Sequence, residues 1–223
     1  MNRRPRLTVP LSVAPVVPLH EPDLVPEHKQ AILTALRWAF AELARRDPTL
    51  LQEGEEEHIS ERLQQLFNER SDGNRLVPWL KTFESVTRGE SQRTSDGRIG
   101  KKPDLTFRPT PYPSVINTTR WGWFVECKII SGSASVRAYR DSGVRRFSSG
   151  EYAAWMPSAA MLAYVRDGAK PMQALTPILV GQVGTKRHVA GPSDDQTESE
   201  HDRSQLAVPC VDVTLVHLWL SRS

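Results

Sequence analysis

Glu126 and Lys128 interrupt an otherwise apolar run, Phe-Val-Glu-Cys-Lys-Ile-Ile at 124–130, and a carboxylate and an amine in that setting ask for a chemical reason. If the run is a strand, alternate side chains share a face, so Glu126 and Lys128 project one way while Val125, Cys127 and Ile129 project the other. At roughly 3.3 Å of rise per residue, the two charged groups stand about 7 Å apart along that face. Either charge is costly to bury without a partner or a metal. Asp104 follows Pro103 at the start of the preceding apolar segment and supplies a second carboxylate if the two segments pair as a hairpin. Two carboxylates converging from neighbouring strands make a hard oxygen site suited to Mg²⁺, with Mn²⁺ as a substitute. With Lys128 alongside, such a site meets the needs of phosphodiester hydrolysis: a metal to lower the pKa of water, and an ammonium to orient the nucleophile and stabilise charge. An exposed cross-strand salt bridge is the simpler use of the same residues.

Pro103-Asp104, followed 22 residues on by Glu126-Cys127-Lys128, resembles the PD-(D/E)-x-K signature of the restriction-endonuclease-like nuclease superfamily. That superfamily's order of one helix, a strand hairpin, then helix and strand is similar to the order read here. Tyr139, Gly143-Val144-Arg145-Arg146-Phe147 and Gly150-Glu151-Tyr152-Ala153 resemble a run that follows the Glu-x-Lys strand in small stand-alone members, many from phage-defence or mobile loci. Ser199-Glu200-His201-Asp202-Arg203 and His217-Leu218-Trp219-Leu220 look like the same group, so the resemblance spans about residues 53–220. It implies a restriction-endonuclease-like core with a mixed central β-sheet flanked by helices, a metal-dependent nuclease with DNA as substrate, and Asp104, Glu126 and Lys128 as the catalytic set. It also implies a further acid on the first core helix, one of Glu55, Glu56 and Glu57. Glu56 precedes Ile59 by three residues and Leu63 by seven, which puts it on the buried face, whereas Glu57 points with Ser60 and Glu61 to solvent. Glu56 is therefore the expected third metal ligand and fourth catalytic residue.

The elements that must hold these residues follow from periodicity. Ile32, Leu33, Leu36, Phe40 and Leu43 recur at helical spacing and predict a helix over 26–46, with Pro26 in its first turn. Ile59, Leu63, Leu66 and Phe67 predict a second over 54–70, its N-terminal glutamates complementing the helix dipole. Residues 79–87 suit either a short helix or the lead into a strand. Strands are expected over 100–108 and 121–130, a helix interrupted near Gly143 over 136–147, another helix over 151–163, and strands over 177–183 and 211–220. Residues 191–203 are polar and acidic and read as a flexible loop, with His201 solvated in it. His217 shares a face with Leu215 and Trp219 and belongs to the core. Prolines 5, 10, 15, 18 and 22 make residues 1–25 an extended arm ahead of a single α/β domain over 26–223.

Composition bounds the function classes. The 223 residues are 39% hydrophobic and 25% charged, as in an ordinary globular protein. Prolines break the N-terminal apolar stretch that could imitate a signal peptide, and no window reaches the roughly 20 apolar residues of a membrane span. Cys127 and Cys210 are too few for a disulfide framework, which fits a reducing cytoplasm. Cys127 alternates away from Glu126 and is expected as a small buried hydrophobe rather than a nucleophile. Net charge is only +3, but six basic residues against three acids lie between Arg88 and Arg108, and four arginines against Asp141 between Arg137 and Arg146. Lys101, Lys102, Arg145 and Arg146 are the expected phosphate-backbone contacts, the two arginines as a guanidinium clamp. No regular element is left over to read base edges, so little sequence preference is expected unless a protein partner docks on the arm or a homodimer forms. A catalytically inactive relative that binds nucleic acid or a partner is the alternative, as is an interaction subunit whose hairpin merely resembles the motif.

Overall fold

The structure, a computed structural model, describes residues 20–72, 83, 84, 86–88, 102–110, 117, 119–206 and 208–222. Its strands in chain order are Leu105–Phe107 (β1), Trp123–Ile130 (β2), Ser158–Val165 (β3), Thr185–Ala190 (β4), Gln196–Asp202 (β5) and Asp212–Ser221 (β6). They form one mixed sheet in the order β1-β2-β3-β6-β5-β4. β1 and β2 are antiparallel, β2, β3 and β6 run parallel, and β5 and β4 return antiparallel on the far side. The chain is thus mixed α/β, its sheet flanked by helices Pro26–Arg46 (α1), Pro48–Glu53 (α2), Glu56–Asp72 (α3), Ser133–Tyr139 (α4), Arg145–Ser148 (α5) and Pro171–Leu179 (α6), with a π-helical segment at Arg140–Val144 joining α4 to α5.

α1 has the expected bounds, with Pro26 at its start, Arg45 and Arg46 in its last turn, and Ile32, Leu36, Ala39 and Leu43 turned into the core. Ile59, Leu63, Leu66 and Phe67 do the same for α3. Ser60 is fully buried, contrary to the expected solvent-facing side; its hydroxyl meets the Tyr164 hydroxyl at 3.0 Å. Of residues 79–87, Phe83 and Thr87 make antiparallel bridges to Pro109 and Thr106, on the side of β1 away from β2. The arm before residue 20 lies outside the described residues. Its last part packs on the body: Leu24 is buried, Pro22 O accepts from Trp121 Nε1 at 2.9 Å, and Asp23 Oδ1 accepts from Ser158 Oγ at 2.6 Å. Among the described residues no helix is long and apolar enough to cross a membrane.

Several expected elements are corrected. Residues 158–163 are strand, not helix: β3 is buried at all eight positions between two parallel neighbours, and burial on both faces overrides the helix preference of Ala, Met and Leu. Residues 171–179 are helix where a strand from 177 was expected. Pro177 lies inside that helix, and burial of Leu175 and Leu179 offsets its missing donor. Of the expected strand 100–108, residues 105–107 are strand and 102–104 and 108 are not, while 100 and 101 lie outside the described residues. The expected loop at 191–203 contains β5, and β4 was not foreseen. β5 is polar yet largely buried because its side chains satisfy one another: Ser199 Oγ lies 2.7 Å from both His201 Nε2 and His217 Nε2, and Thr197 Oγ1 lies 3.0 Å from His188 Nε2. His201 is therefore buried rather than solvated, while His217 is buried as expected. Arg203 is wholly buried too, its guanidinium donating to the carbonyls of Ala153, Met156 and Asp212 at 3.1–3.2 Å.

Candidate active site

The site begins with the length of β1. Its register sets Leu105 against Val125 and Phe107 against Trp123, and one step further along the same register brings Asp104 to Glu126. There the backbone ladder stops, and the outward N–H groups of β2 at Cys127 and Ile129 need other acceptors. Carboxylates take both. Asp104 Oδ2 accepts from Cys127 N at 2.7 Å, and Glu56 Oε2, from the first turn of α3, accepts from Ile129 N at 3.1 Å. Two acids distant in sequence are thereby fixed on either side of the Glu126 and Lys128 face.

Lys128 ties the group together. Its Nζ donates to Glu56 Oε1 at 2.7 Å, to Glu126 Oε1 at 3.0 Å and to Cys127 O at 2.7 Å. Burial pulls the Lys128 pKa down, but Glu126 and Glu56 outweigh it and hold the ammonium above its ordinary range. The Glu126 side chain is 1% exposed. Burial first and the Asp104 charge second raise its pKa to about 7, against the pull of Lys128 and Arg146. Burial likewise raises Asp104, partly offset by the Cys127 N–H. On the opposite face Cys127 is buried beside Ser60 and Tyr164, and burial lifts its thiol well above the ordinary range.

Arg146 and Arg145 do not form one clamp. Arg146 Nη1 donates to Glu126 Oε1 and lies 3.3 Å from the Tyr152 hydroxyl, which in turn donates to Lys102 O at 2.8 Å. Arg145 is exposed and lines a separate cavity with Arg140 and His201. Lys102 is exposed; Lys101 lies outside the described residues. Sequence reasoning missed Tyr152 and Gly143 as parts of the site, although both fall in stretches singled out by the resemblance. Gly143 sits in the π-helical segment against β3 and β2, where a Cβ would run into Met161 Cε and come within 3.7 Å of Lys128 Cγ. The extra backbone residue of a π turn rotates the helix face at this point. It permits the close approach that leaves Arg146 over Glu126.

The donor set suits a small hard cation. Glu126 Oε1 serves Lys128 and Arg146, while Oε2 is buried without a hydrogen-bond partner among the described residues. An orphaned buried carboxylate oxygen is expensive unless something positive meets it. Among the described residues no three His, Cys, Asp or Glu side chains gather closely enough to hold a metal alone. Mg²⁺ does not need that, since it is commonly held by one or two carboxylates and completes its shell with water and phosphate oxygen. The residues present fit it, with Asp104 and Glu126 as the carboxylates and Glu56 at the rim. Set against known protein families, curated proteins and solved structures, the chain matches none of them.

Proposed function

We propose that the protein is a divalent-cation-dependent nuclease that hydrolyses phosphodiester bonds, with DNA as the substrate, on a restriction-endonuclease-like core. The observation that carries this reading is Glu126: a buried carboxylate beside Asp104 and Lys128, with one oxygen committed to two cationic side chains and the other to none of the described residues. The order of elements agrees with the resemblance, since α3 is followed by the β1–β2 hairpin, then α4 to α5, then the parallel strand β3.

Bound Mg²⁺ would supply a water of lowered pKa and a Lewis acid for a non-bridging phosphate oxygen. Asp104 and Glu126 would hold it. Lys128, kept charged by Glu56 and Glu126, would orient the attacking water and stabilise charge as it develops on the phosphate. Arg146 reaches the same oxygen of Glu126 as Lys128, so a phosphate arriving there offers its guanidinium a second anionic partner. Exposed Lys102 and Arg145 would contact flanking backbone.

The test is incubation of the pure protein with plasmid, linear DNA, single-stranded DNA and RNA, with Mg²⁺, with Mn²⁺ and with excess EDTA. Cleavage with either metal and none in EDTA is expected. Full cutting in EDTA, or a Glu126→Ala variant that cuts normally, would overturn the reading.

A further inference from the structure

At the carboxyl ends of β3 and β6 a cavity of about 440 Å³ opens on the edge of the sheet. Phe40 and Val165 form its apolar wall, with Tyr164 beside them and its hydroxyl turned inward to Ser60. Among the described residues three cations line it, Arg166, Lys170 and Arg222, and no acid does. The Lys170 ammonium and the Arg222 guanidinium make no hydrogen bond or ion pair with the described residues. Arg166 donates only to carbonyls, Leu51 O at 2.8 Å and Gly54 O at 2.5 Å. Asp167, next along the chain, is turned to the N–H groups of Gly132 and Ala169. Three positive charges therefore share one concavity with an apolar wall and, among the described residues, without a counter-charge.

Charges of one sign in a cleft with low-dielectric walls focus their field and concentrate ligands of the opposite sign. Three cations exceed what one monoanion needs, and the wall has no use for an inorganic ion. The cavity lies outside the carboxyl ends of the parallel strands: Arg166 N–H donates to Ile130 O at the end of β2, Ser221 ends β6 and Arg222 follows it. We propose that the cavity binds a nucleoside phosphate, its phosphates on Arg166, Lys170 and Arg222 and its nucleoside against Phe40 and Val165. The ligand is either a free nucleotide or the phosphorylated end of a strand. The site is separate from the Asp104, Glu126 and Lys128 cluster and stands whether or not that cluster cuts nucleic acid.

The test is calorimetric titration of the full chain in EDTA with ADP, with inorganic phosphate, and with a short DNA oligonucleotide bearing a 5′-phosphate or a 5′-hydroxyl. Saturable binding of ADP assigns a free nucleotide, and binding of the 5′-phosphorylated but not the 5′-hydroxyl strand assigns a strand end. Either should be at least about tenfold tighter than inorganic phosphate and weaken at least about tenfold in Lys170→Ala/Arg222→Ala, both exposed positions. The charge-conserving pair Lys170→Arg/Arg222→Lys should keep affinity within about threefold, which separates lost charge from a damaged fold. Absence of saturable binding by ADP and by the 5′-phosphorylated strand, binding indifferent to the double alanine variant, or phosphate binding as tightly as ADP would overturn the assignment.

Discussion

β2 and β5 both carry polar side chains into buried positions, yet they dispose of them in opposite ways. On β5, Thr197, Ser199 and His201 close a neutral network with His188, His217 and Tyr139, in which hydroxyls and imidazoles meet one another. On β2, Glu126 and Lys128 are ionisable, draw in Glu56 and Arg146, and still leave Glu126 Oε2 without a partner among the described residues. A buried network that satisfies itself specifies packing, whereas one left unsatisfied in a chain that folds marks a place for something from outside.

The sharpest way to break this contrast is mutation in both strands. Asp104→Ala, Glu126→Ala and Lys128→Ala should each lower the cleavage rate by roughly 10²–10³ or more, as expected when a group acting directly on the transition state is removed. Ser199→Ala should lower stability and leave the rate per folded molecule within about threefold, since the hydroxyl it removes serves packing alone. Equal losses of rate in both strands would erase the distinction.

The two regions should also respond oppositely to pH. Burial lowers His201 to about 4 and drives His217 well below its ordinary range, so the unfolded chain binds protons that the folded one does not. Their contribution is complete above about pH 6.5 and is lost as pH falls toward 4, by about 3 kcal/mol for His201 alone. Glu126 is raised to about 7, so in metal-free protein its contribution is greatest below about 4.5 and is lost as pH rises to 7, again by about 3 kcal/mol. Urea unfolding between pH 4.5 and 6.5 should therefore give a steeper rise of stability with pH in Glu126→Gln and a shallower one in His201→Gln than in the parent chain. Identical slopes in all three proteins would show that neither group titrates as its burial requires.

Smaller effects sharpen the edges of the site. Glu56→Gln should slow cleavage by about tenfold, because it weakens the hold on Lys128 and Ile129, while Glu55→Gln and Glu57→Gln, both exposed, should stay within about twofold. Equal effects at all three positions would assign these acids to the helix terminus. Cys127→Ser should change the rate least, since the thiol is buried on the opposite face.

The charged pair of β2 was legible because charge inside an apolar strand violates the alternation expected of a core. Glu56 was singled out, from three acids that the resemblance offered, by a helix phase that also sent Ser60 to solvent, although Ser60 is buried. β5 was not legible, because a polar run whose groups bond across strands looks in sequence like a run that bonds to water. β3 was hidden for the converse reason: Ala-Ala-Met-Leu-Ala carries no alternation when both faces are buried. The parting of Arg145 from Arg146 depends on the π-helical segment, which no periodicity announces.

The early end of β1 bears on more than chemistry. Beyond Leu105 the outer rim of β2 offers two backbone donors, and a bare rim of that kind recruits strands from other molecules. Asp104 and Glu56 occupy both donors, so they also bar the sheet from growing in that direction. Removing both carboxylates would leave the rim open to self-association, whereas asparagine and glutamine, with a carbonyl oxygen in the same place, would keep it shut. Two side chains of the proposed catalysis thus also close the outer rim of β2.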